Sequence, residues 1–126
     1  LFDNASQRIA AAVNYIKAQN LEANVLIAHS LGSVMSTYYL ANNKHPFKRF
    51  IGIGMPKTAA PHLAKINIPM LDLYGDNDIP SVLEGVQIKA QKSKHNKDYS
   101  QKMVAADHFF NEKDELLITE VSHWLK

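Results

Sequence analysis

The 126-residue sequence contains no cysteine. That absence excludes a disulfide, a thiolate zinc site and a cysteine nucleophile, and it leaves the compartment open, cytoplasm and periplasm being equally compatible. No stretch approaches the roughly 18–20 apolar residues of a membrane-spanning helix, and no signal peptide is visible. Neither sign of charge is in excess: 14 Lys and Arg against 12 Asp and Glu leave a formal +2, too little to point to nucleic acid. The lysines are scattered except for the polar run Lys89 to Lys102, which reads as a solvated loop. Internal repeats and low-complexity segments are absent as well. What is present is apolar material, 46% of the chain, enough for the single core of one soluble globular domain.

Hydrophobic spacing predicts a helix over Asp3–Gln19, with Ile9, Ala12, Val13 and Ile16 on one face. Asp3 and Asn4 offer N-cap oxygens and Asn20 a stop. A strand, Val25–Ala28, leads into a helix over Gly32–Asn42 with Leu31, Val34, Met35 and Tyr38 on one face. His45-Pro46 closes it, because the residue before proline disfavours helix. Arg49–Met55 is the next apolar run, and its glycines suit a strand covered on both faces. Thr58–Lys65 is a short helix or irregular connection. A third strand, Pro69–Tyr74, precedes the polar turn Gly75–Pro80 and a helix from Ser81 to about Lys92. After a loop, Ser93–Asp98, come a weaker strand, Gln101–Ala106, a second loop, Asp107–Asn111, and a helix over Glu112–Lys126 capped by Asn111. Helices alternating with continuous apolar strands are the mark of βαβ units. The expected class is therefore α/β: three layers, with a mostly parallel sheet of about four strands and flanking helices.

The apolar run that ends in His29-Ser30-Leu31-Gly32, with a helix at once behind it, has the layout of a nucleophile elbow. In an elbow a sharp strand-to-helix turn lifts a serine above the sheet. The usual pattern is Gly-x-Ser-x-Gly, and Ala28 stands at the first glycine. Small residues are expected on both sides because strand and helix backbones nearly touch. A serine at this place would equally serve as an ordinary helix N-cap. In open parallel sheets, reactive groups gather at the carboxyl ends of the strands. Ser30 follows the first strand, Asp78 the third and His108 the fourth, so all three share one rim. Spacing says no more than that.

These stretches together resemble the α/β-hydrolase superfamily of esterases, lipases and thioesterases. Ala28-His29-Ser30-Leu31-Gly32 is similar to its elbow, and Ala106-Asp107-His108-Phe109-Phe110 to its histidine loop. Leu73-Tyr74-Gly75-Asp76-Asn77-Asp78-Ile79-Pro80 is similar to its strand–Gly-x-x-Asp-x-x-Pro acid loop, with Pro80 one place early. The order Ser…Asp…His is also the superfamily's. The likeness covers essentially the whole chain but only about the C-terminal half of that fold. Residues 1–126 are accordingly expected to be a single domain, the C-terminal part of a hydrolase domain whose first strands are absent.

The resemblance implies Ser30 as nucleophile, His108 as general base and acid, Asp78 as the orienting acid with Asp76 in reserve, and the Leu31 N–H as an oxyanion donor. His29 and Met55 are the candidate substrate contacts, His29 occupying a place the family often fills with histidine for packing. A carboxylic ester or thioester is the implied substrate, with no metal and no cofactor. Each residue also has a plainer use. Asp76 and Asp78 are good turn formers, and Asp107-His108 suits a helix cap or loop. The Asp-x-Asp pair would suit magnesium-dependent phosphotransfer, but Gly75 precedes it and no threonine or glycine follows where that motif wants one. His45, His62 and His95 fall in connections and His123 on the last helix, as structural or solvated residues. Two other functions stay open: a non-catalytic hydrolase-fold binding module, and acyl transfer to an acceptor other than water. In the family the strand Val25–Ala28 pairs on both sides, so in this chain it leaves an apolar edge. Pairing into a homodimer or larger assembly through that edge is expected, and a monodisperse monomer in light scattering would contradict it.

Overall fold

In the computed structural model, which describes residues 1–126, four strands pair in parallel in the order β1 (Val25–His29), β2 (Arg49–Ile53), β3 (Met70–Asn77) and β4 (Tyr99–Asp107). The helices are α1 (Phe2–Ala18), α2 (Leu31–Asn42), α3 (Ala60–Leu63), α4 (Pro80–Leu83), α5 (Val86–Lys92) and α6 (Asp114–Leu125), with a 3-10 turn at Lys57–Ala59. Successive side chains of a strand face opposite ways, and the two faces carry separate cores. Phe50 and Met70 meet Val13 of α1, Val34 and Leu40 of α2, and Leu63 of α3. Ile51, Ile53, Leu71, Leu73 and Val104 face the other way, against Leu117, Val121 and Trp124 of α6. Helices thus cover both sides of the sheet, which is the expected three-layer α/β arrangement. β2 lies inside it, and its Phe50 and Ile51 are both fully buried, the reason this strand is apolar at consecutive positions. β1 is an edge strand with Ile27 47% exposed.

The boundaries depart from the sequence reading where tertiary contacts claim a residue. Leu1 occupies the N-cap of α1 without any side-chain cap, because Asp3 instead accepts the Tyr38 hydroxyl at 2.8 Å. α2, by contrast, ends at Asn42 as expected, ahead of His45-Pro46. Its last carbonyls, those of Tyr38 and Tyr39, are taken by the side-chain amides of Asn42 and Asn43 at 2.8 and 3.1 Å. The helix expected over Ser81–Lys92 is two, divided where the Gly85 N–H turns back to the Val82 carbonyl at 3.0 Å. The run Lys89 to Lys102 is not a solvated loop: Lys89 has no exposed surface, Ser93 and Asn96 are buried, and Tyr99–Lys102 belongs to β4. Nor does Asn111 cap α6, which begins two residues later than expected, at Asp114. Phe110 and Glu112 both have positive φ, 52° and 58°, so the chain turns tightly before it can become helical, and the Asn111 amide donates to Asp107 at 2.9 Å.

The departure that matters for function is at the end of β3. The polar segment after Tyr74 is not a free turn. It continues as strand through Asn77, which pairs with Asp107 after a register shift between Gly75 and Asn77. A Cβ on Gly75 would lie 2.1 Å from the Ala106 carbonyl oxygen, so β4 can approach this closely only because Gly75 has no side chain. Gly75→Ala is expected to destabilise the protein by about 3 kcal/mol, at the upper end for overpacking. A loss below about 1 kcal/mol on chemical denaturation would contradict this contact.

Candidate active site

Ser30 occupies the single residue between β1 and α2, in the unusual backbone conformation φ 55°, ψ −127°. Its N–H still donates to the Ile53 carbonyl at 2.9 Å, continuing the β1–β2 pairing. Its carbonyl accepts the Ser33 hydroxyl at 2.5 Å. The side chain does not cap α2, so the plain N-cap use is excluded. The hydroxyl instead lies 2.8 Å from Nε2 of His108. Leu31, the first residue of α2, is 50% exposed, and an N–H at that position has no intrahelical acceptor. Beside it, a Cβ on Gly32 would meet no atom within 4 Å, so the contacts of this chain do not demand the small residue there.

His108 directly follows β4 and is buried, and its Nδ1 lies 2.6 Å from Oδ1 of Asp78. Asp78 is buried too, and it also accepts the N–H groups of Gly75 at 3.1 Å and Ile79 at 2.8 Å. An ionised carboxylate only accepts, so Nδ1 carries the proton and Nε2 is left to accept from Ser30. Asp76, the reserve acid, is exposed, and its Oδ1 takes the Ala106 N–H at 3.2 Å. It serves the strand end, not the imidazole.

Three contacts around the pair go beyond the sequence reading. Gly54, which follows β2, has φ 56°, and a Cβ there would lie 2.9 Å from His108 Nδ1. The bare backbone is the floor on which the imidazole rests. His29 donates from Nε2 to the His108 carbonyl at 2.8 Å, with the two ring centroids 4.8 Å apart. It therefore holds the histidine loop in addition to any contact with substrate. Asp107 folds that loop, accepting the N–H groups of Phe109 and Asn111 at 3.0 and 3.1 Å. The only sequence signal for Gly54 was its place at the carboxyl end of an apolar strand. His29 stood out only by its place beside Ser30, and nothing local marked it as a partner of the His108 carbonyl.

Met55 is the expected contact that the structure places elsewhere. It is fully buried in the core on the α2 side of the sheet, because the chain turns inward after Gly54 and the Met55 sulfur packs over Gly52. The other histidines lie away from Ser30. Burial lowers the pKa of His45 beside Tyr39 and Phe47, and of His62 beside Phe2 and Tyr38. His95 donates to the Ile66 carbonyl at 3.0 Å, and His123 is exposed on α6. Nowhere do three His, Asp or Glu side chains converge as metal ligands. No helix is long and apolar enough to cross a membrane.

Four parallel strands layered between helices, with this rim, define the C-terminal part of an α/β-hydrolase fold. By sequence, residues 2–126 match one family model, and the chain belongs to that family, described as "Protein of unknown function (DUF3530)". No curated protein matches the chain. Among solved structures it is similar to an esterase domain from Rhodothermus marinus, with a TM-score of 0.78 and 17% identity over 92% of this chain and 65% of that one. It is similar also to a predicted CIB-like hydrolase from Thermoplasma acidophilum, with a TM-score of 0.76 and 16% identity over 98% of this chain and 59% of that one. Esterase PE8 aligns with a TM-score of 0.73 and 19% identity over 97% of this chain and 61% of its own. At such identities the likeness is one of fold, and the chain spans less than two thirds of each of these three structures.

The Asn111 side chain, then its backbone N–H, hold the Asp107 carboxyl below its ordinary pKa of 3.8. A carboxyl depressed on folding stabilises the loop above its unfolded pKa, and that contribution is lost as the pH falls through the folded value. Hydrogen-exchange protection of the Phe109 and Asn111 amides is expected to decline as the pH falls below about 4. The decline should be absent in Asp107→Asn, and equal pH profiles for the two proteins would refute the assignment.

Proposed function

We propose that this chain carries the reacting groups of a serine hydrolase acting on a small carboxylic ester or thioester. The observation that supports this is the hydrogen-bonded line from Ser30 Oγ to His108 Nε2, 2.8 Å, and from His108 Nδ1 to Asp78 Oδ1, 2.6 Å. A serine hydroxyl is a weak nucleophile until a base takes its proton. As Ser30 Oγ bonds to the substrate carbonyl carbon, its proton passes to Nε2, and the carbonyl oxygen takes up the negative charge. Collapse of that intermediate breaks the ester or thioester bond, and the departing alcohol or thiol leaves with the Nε2 proton. Water then attacks the acyl-serine, again giving a proton to Nε2, and the acid and the free Ser30 hydroxyl are regenerated. Asp78 holds the ring in its tautomer and offsets the charge it acquires. The Leu31 N–H, at the positive end of α2, is the oxyanion donor we assign.

In this proposal residues 1–126 form one unit, the C-terminal part of a hydrolase domain. Acyl-transfer sites of this kind use two oxyanion donors. Because the chain spans only 65% or less of the three structures above, we assign the second donor to sequence outside these 126 residues. Purified alone, the 126-residue chain is expected to turn over a p-nitrophenyl ester little or not at all; robust turnover abolished by Ser30→Ala would refute that assignment. In the full-length protein Ser30→Ala should lower kcat by about 10⁴-fold or more. A fluorophosphonate probe should label Ser30, and labelling of a different serine would overturn the proposed function.

A further inference from the structure

Beneath the rim runs a line of buried and half-buried polar groups that the proposed chemistry does not use. Lys89 of α5 and Asp72 of β3 are both fully buried, with Nζ 3.1 and 3.0 Å from the two carboxylate oxygens. Lys89 also donates to the main-chain carbonyl of Met55 at 2.7 Å. The Tyr99 hydroxyl of β4 donates to Asp72 at 2.6 Å. Gln101, in turn, donates to the Tyr99 oxygen at 2.9 Å and to the Val86 carbonyl at 2.8 Å. Burial, then the nearby Asp72, pushes the Tyr99 pKa far up, so the phenol remains a donor. One network therefore ties β3, β4, α5 and the segment after β2 together.

That segment is the one on which His108 rests. Met55 follows Gly54, whose N–H donates to the Leu73 carbonyl at 2.8 Å, and whose missing Cβ would lie 2.9 Å from His108 Nδ1 and 3.6 Å from Asp78 Oδ2. Asp72 stands on the same strand as Gly75, whose N–H holds Asp78. We infer that Lys89 is a positioning residue. Fixed by Asp72 and Tyr99, it anchors the Gly54–Met55 backbone against which the His108–Asp78 pair is seated. A buried ammonium already committed to a carboxylate has no competing water, so its bond to the Met55 carbonyl admits one arrangement. A functional consequence rests on the hydrolase reading; the geometric claim does not.

The test uses the downfield proton resonance of the His108 Nδ1–H shared with Asp78, identified in the full-length protein by its loss in His108→Gln. Two double variants, K89M/D72N and K89Q/D72N, both remove the two charges but differ in whether a donor to the Met55 carbonyl survives. The resonance should broaden or vanish in the first and persist in the second. With p-nitrophenyl acetate, kcat should fall about 10- to 100-fold in the first alone, with KM nearly unchanged. A resonance unaffected in K89M/D72N, or lost equally in both, overturns the inference. If K89M/D72N does not fold, Tyr99→Phe, which keeps the ion pair, should still shift the resonance, and an unchanged position overturns the inference. If the resonance responds as expected and the wild-type protein cleaves no ester, the positioning stands and the hydrolase reading falls. Ester cleavage with a resonance indifferent to Lys89 is the reverse.

Discussion

At the carboxyl end of β3 the backbone of β4 comes so near that the Ala106 oxygen would lie 2.1 Å from any Cβ on Gly75. That approach sets the distance between the two segments that follow, one bearing Asp78 and the other His108. The register shift there lets Asn77 pair with Asp107, and the Gly75 N–H is left pointing at the Asp78 carboxylate. Parallel pairing across the other strands then brings Ser30 to the same rim. A hydroxyl, an imidazole and a carboxylate 78 and 30 residues apart in the chain meet because three strands end together.

Holding these groups requires the chain to adopt conformations it would not choose locally. The φ of 55° at Ser30 belongs to a sparsely populated region that costs about 1–3 kcal/mol and persists only where the surroundings over-determine it. Here the Ser30 N–H and C=O are both bonded, one to β2 and one to Ser33. The buried ion pair below the site is a different kind of expense. Removing one partner of such a pair typically costs about 3–5 kcal/mol, whereas replacing both with apolar residues is often neutral. Stability alone is thus a weak reason for Lys89 and Asp72 to be charged, while a single fixed bond to the Met55 carbonyl is a specific one.

Much of the fold was legible in the residues. Period-3.6 stripes marked α1, the continuous apolar runs marked the covered strands, and their alternation marked the parallel, three-layer sheet. Of the site, the order Ser30, Asp78, His108 and their shared rim were legible. Other features were not. Lys89 looks like a surface residue in a run of lysines, because one-dimensional patterning cannot distinguish a solvated charge from a charge with a buried partner seventeen residues away. Met55, expected as a substrate contact, stands at the end of an apolar run, yet the turn at Gly54 sends its side chain into the core.

The amino-acid sequence by itself determined the class of fold and which chemical types stand at the strand ends, since both follow from local periodicity and from the turn chemistry after each strand. Tertiary structure alone decided which donors face which acceptors: that Asp78 and not Asp76 reaches the imidazole, that His29 holds the His108 carbonyl, and that Gly54 lies beneath the ring. Those choices depend on strand register and on the close approach of backbones, and neither is encoded within any one segment.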